Sequence, residues 1–429
     1  MTQPVIGFSG MTHLGLVSAV AAAEKGYCVV CFDPDAARIA ALARSALPVA
    51  EPQLDELVAS NVKRLSFTAT PADLARCDVI YVAPDVPTDD QGGSDLGPIN
   101  ALLEIVFAAA RADAVIVVLS QVPPGYTRAR QRAGRILYYQ VETLIFGRAV
   151  ERALQPERYI VGCADPAQRL PGAFAEFLAA HGCPVLPMRY ESAELAKISI
   201  NMCLVASVTT ANTLAELCEK IGADWSEIVP ALKLDRRIGQ YAYLAPGLGI
   251  AGGNLERDLA TVCSFADRHD TDAGVVRAWI ANSRHRRYWA ARTIRVTLLD
   301  ARPDADVAVW GLAYKENTHS VKNSPSLATI AQLPGARLRL HDPLVPASAA
   351  AHSSAVAAAD PMAAVSGADA LMILTPWPQY RSIAPVDIAK AMHGRIVLDP
   401  YGVLDRNAAK AAGLDLFTLG RPPEIARKQ

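Results

Sequence analysis

The chain has almost no net charge and no long unbroken apolar run. Its 429 residues carry 42 Lys and Arg against 43 Asp and Glu, a formal charge of −1. That balance supplies no electrostatic footprint, so neither nucleic acid nor an anionic membrane surface is expected as a partner. No apolar stretch reaches the roughly 18 uninterrupted residues of a membrane span. The sequence starts without a basic segment or a cleavage signal and runs directly into the strand pattern Pro4-Val5-Ile6-Gly7-Phe8, so no leader is expected. Among the eight cysteines only Cys28 and Cys31 have C-x-x-C spacing. They fall in a strand pattern, where an offset of three points side chains to opposite faces. Buried structural thiols in a reducing cytoplasm are therefore expected, with no metal site.

What is present is apolar and regularly patterned. Half the residues (51%) are apolar and a fifth (20%) charged, as in a soluble globular protein with a large core. The length calls for two or three domains. In the first half, Val5–Ser9, Cys28–Phe32, Val79–Ala83, Val115–Ser120, Tyr159–Val161 and Cys183–Leu186 read as strands. Helical stretches such as Gly15–Lys25 and Pro98–Arg111 separate several of them, and this alternation predicts a parallel, doubly wound sheet. Glu191–Ile221 has apolar residues at helical spacing and no Gly or Pro, which predicts one long helix. After Arg302-Pro303-Asp304 a second α/β pattern begins, with strands at Val307–Trp310, Arg337–His341, Ala370–Thr375 and Ile396–Leu398. The expected fold is α/β, with two Rossmann-like doubly wound domains joined by a long central helix and a helical middle domain. The boundaries fall at 1–188, 189–300 and 301–429.

Gly10-Met11-Thr12-His13-Leu14-Gly15 follows the first strand and opens a helix, the place of a dinucleotide-binding turn. The usual G-x-G-x-x-G has Thr12 for its middle glycine, whose hydroxyl would meet a phosphate directly or through water. Asp33 ends the second strand, where a carboxylate can accept both ribose hydroxyls of NAD and repel the extra phosphate of NADP. NAD is the expected cofactor, with Gly10, Thr12, His13, Leu14, Gly15 and Asp33 around it. Elsewhere, Glu194, Lys197 and Asn201 are spaced to share one face of the long helix. Four glycines in Gly247-Leu248-Gly249-Ile250-Ala251-Gly252-Gly253 lead into Asn254-Leu255-Glu256-Arg257-Asp258, and such a run lets a backbone approach a ligand closely.

This last segment resembles the active-site loop of the UDP-glucose/GDP-mannose dehydrogenase family, roughly G-P-G-F-G-G-S-C-F-P-K-D. The helix motif E-x-x-K-x-x-x-N is similar to that family's central helix. By this resemblance Lys197 and Asn201 hold a water and stabilise charge at the reacting C6 oxygen, and Asp258 serves the water and general-base network. Asn254 stands where the family has its nucleophilic cysteine. Glu142, in Val141-Glu142-Thr143-Leu144, falls at the family's P-E-F-L and is a further carboxylate, with Leu144 on the substrate side. Val86 and Gln121 replace threonines near the nicotinamide, before Pro87-Thr88 and in Ser120-Gln121-Val122-Pro123-Pro124-Gly125. Lys322 stands for an arginine that reaches the NAD diphosphate, and Arg257 joins it on the cofactor side. Arg237, in a D-x-R-I-G match, reaches the sugar nucleotide across a subunit interface, which implies a homodimer. Lys315, in a G-L-x-F-K-x-x-T match, binds the sugar nucleotide, as do Gly249 and Ile250 of the loop. His341-Asp342-Pro343 matches a Y-D-P turn. Pro376 replaces a glutamate, and Asp399-Pro400-Tyr401-Gly402 lacks the arginine of D-x-R.

The resemblance implies an NAD-dependent oxidoreductase acting on the C6 alcohol of a nucleotide sugar, with a UDP-sugar first. An asparagine amide is not a nucleophile, so the reaction is expected to stop at the aldehyde or to use a transient oxidation. Full four-electron oxidation through a non-covalent hydrate is the alternative, and a catalytically silent sugar-nucleotide binder is a third reading.

Overall fold

The computed structural model describes residues 3–87, 89, 93–251 and 253–426. The chain divides into two compact units, Met1–Ile200 and Asn201–Gln429. The first is built on eight strands: β1 (Ile6–Ser9), β2 (Val29–Phe32), β3 (Leu65–Thr68), β4 (Val79–Val82), β5 (Val115–Val118), β6 (Ile136–Gln140), β7 (Tyr159–Cys163) and β8 (Val185–Arg189). Their order in the sheet is β3-β2-β1-β4-β5-β6-β7-β8. Strand order reverses beside β1, so the loops after β1 and β4 face the crevice where open α/β sheets bind ligands. One pair departs from the expected all-parallel sheet: β6 and β7 run antiparallel, Tyr139 opposite Gly162 and Gln140 opposite Val161.

β1, β2, β4 and β5 are buried along their whole length, as continuous apolar runs covered on both faces should be. The first helix, His13–Glu24, is apolar nearly all round and almost wholly buried. Cys31 and Cys77 are buried, and desolvation pushes both thiols up, Cys77 to about 12. Burial does not extend to every thiol: Cys28 and Cys203 are exposed. Cys28 immediately precedes β2, and its carbonyl accepts from the Ile6 N–H of β1 at 3.0 Å while the residue stays exposed.

The long helix spans Tyr190–Ile221, 32 residues, or about 48 Å at 1.5 Å per residue. By length and composition it is apolar enough to cross a membrane, which unbroken runs alone did not reveal. Two of its charged residues nevertheless find protein partners: Glu194 is buried against the Gly125 and Thr127 N–H groups, and Lys197 is ion-paired.

In the second unit, Trp225–Leu234, Asn254–His269, Gly274–Arg287 and Trp289–Ile294 are helical. Leu259, Cys263 and Ala266 of the second of these pack with Val205 and Ile250. The second sheet comprises β9 (Asp306–Trp310), β10 (Arg337–His341), β11 (Ala355–Ala357), β12 (Ala370–Ile373), β13 (Ile396–Leu398) and β14 (Asp415–Phe417). Its order, β11-β10-β9-β12-β13-β14, is again doubly wound, and every pair is parallel. The Ala-rich tract at 347–359 supplies the edge strand β11.

Candidate active site

The turn after β1 is shaped by sterics. Gly10 has φ +95°, and a Cβ there would lie 2.8 Å from the Pro84 nitrogen. A Cβ on Gly15 would come within 1.9 Å of the Gly10 carbonyl oxygen, so the first turn of the helix presses on the turn itself. Thr12, the N-cap, accepts a hydrogen bond from the Asp85 N–H at 2.8 Å, and Asp85 accepts one from the His13 N–H at 2.9 Å. The middle position of the fingerprint thus ties the turn to the loop after β4, and the Thr12 hydroxyl keeps its proton to donate. Asp33 is buried and accepts from the Met11 N–H at 2.7 Å, the Asp35 N–H at 2.9 Å and Arg38 Nη1 at 2.8 Å. A carboxylate offers about four lone-pair sites, so one remains for a ribose hydroxyl rather than two. Arg38, absent from the sequence reading, stands beside it at the exposed edge. A crevice floored by backbone, with a buried acid at the next strand's end, fits a dinucleotide diphosphate and ribose.

Gly15→Ala is expected to lower the melting temperature and weaken NAD binding together. The clash is with backbone, which cannot rotate away, and overpacking of this kind costs about 1–3 kcal/mol. Thermal melts with and without NAD check it.

Glu142 follows β6 in a loop and forms an ion pair with Lys197, Oε1 to Nζ at 2.8 Å. The two side chains are 17% and 12% exposed. The second oxygen of Glu142 accepts from the Leu144 N–H at 2.9 Å, which curls the loop back on itself. Glu194 has a different task from the other residues on its helix. It accepts from the Gly125 N–H at 2.6 Å and the Thr127 N–H at 2.8 Å, clamping the loop that contains Gln121. Burial raises its pKa, and those hydrogen bonds only partly offset the shift. Val86 and Gln121 are half-buried in the loops after β4 and β5; Thr88 lies outside the described residues.

In the second unit, Asn201 donates a short hydrogen bond from Nδ2 to Asp258 Oδ2, and both side chains are buried. Arg257 Nε lies 3.4 Å from the other Asp258 oxygen. Asn201 is four residues beyond Lys197 on one continuous helix, so the two project from the same face. The glycine loop is pinned by side chains: Asn212 accepts from the Gly247 N–H and Ser283 Oγ from the Ile250 N–H, each at 2.8 Å. Gly249 has φ +82°, and a Cβ there would lie 2.5 Å from the Ser283 carbonyl oxygen. Gly252 lies outside the described residues. Gly253, with φ +92°, is the N-cap of the helix that begins at Asn254, and Asn254 itself is exposed. Asn254 and Asp258 are one helical turn apart, which places them on a common face. The Lys322 side chain lies alongside Gly253, at the same helix N-terminus.

The second sheet repeats the design of the first. Gly311, after β9, has φ +95°. Asp342, after β10, accepts from the Leu312 and Ala313 N–H groups at 2.6 and 3.0 Å. Trp377, beside Pro376, donates to the same carboxylate at 3.0 Å. Lys315 Nζ lies 5.7 Å from the centre of the Tyr314 ring. Arg237 is set apart: its side chain is 88% exposed and is held by Asp235 of its own loop, 2.6 Å away. An open cleft of this unit is lined by Lys233, Tyr243, Leu244, Pro246, Arg381 and Tyr401. No motif pointed to Arg381.

Three profiles of one family match in sequence order. The NAD binding domain of the UDP-glucose/GDP-mannose dehydrogenase family covers residues 5–178, its central domain 191–284 and its UDP binding domain 308–406. The chain is 30% identical over 439 residues to a UDP-glucose 6-dehydrogenase of Pseudomonas aeruginosa, covering 96% of each. It is 29% identical to the UDP-glucose 6-dehydrogenase TuaD of Bacillus subtilis, over 97% of this chain and 93% of that one. Its structure is similar to a UDP-glucose dehydrogenase from the archaeon Pyrobaculum islandicum. There the TM-score is 0.83 at 27% identity, over 95% of this chain and 96% of that one.

Proposed function

Because the chain belongs to the UDP-glucose/GDP-mannose dehydrogenase family and is an NAD-dependent nucleotide-sugar dehydrogenase, we propose that it oxidises the C6 alcohol of a UDP-sugar and releases the aldehyde. The observation that carries this reading is Asn254 as the first residue of the helix Asn254–His269, one turn from Asp258. That is the place the resemblance gives to the thiol nucleophile. Bound NAD supplies the hydride acceptor.

The protein's own residues manage the proton and the charge. Loss of hydride from an alcohol requires the hydroxyl proton to leave, and positioned polar groups contribute about 10²–10⁴-fold to such a step. Lys197, its ammonium held by Glu142, stabilises negative charge on the C6 oxygen. Asn201 and Asp258 orient the water that takes the proton. Asn254 donates to the carbonyl as it forms, without bonding to carbon. Lys322, at a helix N-terminus, offers a point charge to the cofactor diphosphate.

The nucleotide end enters the cleft beside Tyr243 and Tyr401, with Lys315 of the UDP binding domain as a further contact. The cleft is supported as its seat by a free guanidinium, Arg381, which has no hydrogen-bond or ion-pair partner among the described residues. Arg381 would serve in place of the missing D-x-R arginine, since a fork of N–H donors suits a diphosphate. Arg381→Ala is expected to raise KM for the sugar nucleotide about tenfold, the loss of one charge-assisted contact, with kcat changed less than about twofold. Steady-state kinetics with UDP-sugars checks it.

A homodimer completes the reading. Leu214, Leu217 and Ile221 near the end of the long helix are 40%, 51% and 65% exposed, an apolar stripe a second copy would cover. Arg237, outward-facing, would then serve the neighbouring copy. A cytoplasmic location accords with eight free cysteines.

The deciding experiment is a count of NADH released per sugar, with the product identified by mass spectrometry. One NADH and an aldehyde support the proposal. Two NADH and a uronic acid point to oxidation through the hydrate. An altered sugar with no NADH means a transient oxidation, and binding alone means a silent protein.

A further inference from the structure

We propose that Glu51 is a positioning residue that couples the dinucleotide turn to the loop carrying Glu142. It lies in Val49-Ala50-Glu51-Pro52, between β2 and β3, and belongs to no motif of the sequence reading. Its side chain is 0% exposed. Oε1 lies 2.9 Å from His13 Nε2, and the Gly147 N–H lies 2.9 Å from both carboxylate oxygens. The Ala149 N–H donates to Oε2 at 3.3 Å. No lysine or arginine pairs with Glu51 among the described residues.

Burying a carboxyl group is costly, and an apolar side chain would fill the same space at lower desolvation cost. What the carboxylate provides is a link between two distant segments. His13 is the first residue of the helix that opens from the turn, and its ring stacks on Phe146 at 4.2 Å between centroids. Gly147 closes the segment that starts at Glu142, and Leu144 is tied back to the Glu142 carboxylate. Glu142 in turn holds Lys197. A shift of the turn is therefore passed through His13 and Glu51 to Gly147, and from there to the carboxylate that places the Lys197 ammonium. A misplacement of about 1 Å at a reacting group costs about 10²-fold, so even a small slackening should be measurable.

The proposal rests on the NAD reading of the turn, and it is tested in two arms. Glu51→Gln keeps the shape but turns an amide –NH₂ toward the donors Gly147 N–H or His13. In the first arm, hydrogen exchange at residues 145–149 is followed during titration with NAD alone. NAD is expected to slow exchange there in the wild type and to leave it unchanged in Glu51→Gln. Equal protection by NAD in both proteins, or none in the wild type, overturns the coupling. The second arm is a kinetic cycle. Glu51→Gln is expected to lower kcat about tenfold in the wild type and to have no further effect in a Glu142→Gln background, because neighbours acting through one path are not additive. The same factor in both backgrounds means a purely structural role and sinks the proposal. Should Glu51→Gln fail to fold, His13→Phe keeps the ring on Phe146, removes only the link to the carboxylate, and carries the same predictions. If no sugar is turned over by the wild type, the dehydrogenase reading fails while the exchange arm still decides the coupling.

Discussion

Replacing Asn254 by cysteine is expected to raise the yield from one NADH per sugar to two, with a uronic acid displacing the aldehyde as product. Two features of the position would favour a thiolate. Residue 254 is the first of a 16-residue helix, whose N-terminus carries about half a positive charge. Lys322 lies beside Gly253, the residue before it. Both features lower a thiol's pKa and increase its nucleophilic fraction. A thiol there captures the aldehyde as a thiohemiacetal, from which a second hydride leaves and water releases the acid. No native cysteine on this helix can substitute. Cys263 is nine residues on, about 13 Å along the axis and half a turn round, and it packs with Val205 and Ile250 in an apolar cluster. An Asn254→Cys protein that still yields one NADH and an aldehyde would show that nucleophile identity does not limit the reaction. A wild type that already yields two would show that the hydrate is oxidised without covalent help.

The elements that the sequence revealed are those with strong local signals. β1, β2, β4 and β5 are unbroken apolar runs bounded by turn residues, and the long helix begins within one residue of its expected start. β3, β6, β11 and the three-residue β14 carry weaker local signals. β3 buries only Leu65 completely, and β6 mixes tyrosines with a glutamine. Ala355–Ala357 is a short edge strand rich in a residue that sheets disfavour. The site divides in the same way. Gly10 and Gly15 are singled out by fixed spacing and Lys197 and Asn201 by a shared helix face, whereas Asp258 is singled out by the family resemblance alone. Glu51 and Asp85 carry no such signal, because they act through contacts made across the fold: Glu51 meets His13 over 38 residues and Gly147 over 96. Arg381 carries none because only the folded cleft places it. Lys197 likewise meets Glu142 across 55 positions, and neither residue predicts the other. A carboxylate that serves another segment's backbone leaves no period in its own.

Lys197→Met is expected to lower kcat by about 10²–10⁴-fold, with NAD binding retained. Methionine keeps much of the stem's volume, so packing along the long helix is preserved and the loss isolates the charge. Two consequences follow from the 2.8 Å pair with Glu142. Breaking it leaves a carboxylate, 17% exposed, with no counter-charge, which destabilises the fold more than an exposed pair would. Adding Glu142→Gln to Lys197→Met should therefore recover melting temperature without recovering kcat. That split would assign stability to the ion pair and the rate to the ammonium. Lys197→Arg sharpens the point, because arginine keeps the charge but replaces a compact ammonium with a broad fork. It should retain the stability of the ion pair and lose most of the turnover. Activity in Lys197→Met within a few-fold of wild type would remove the ammonium from the chemistry and leave the Asn201–Asp258 pair to carry the proton alone.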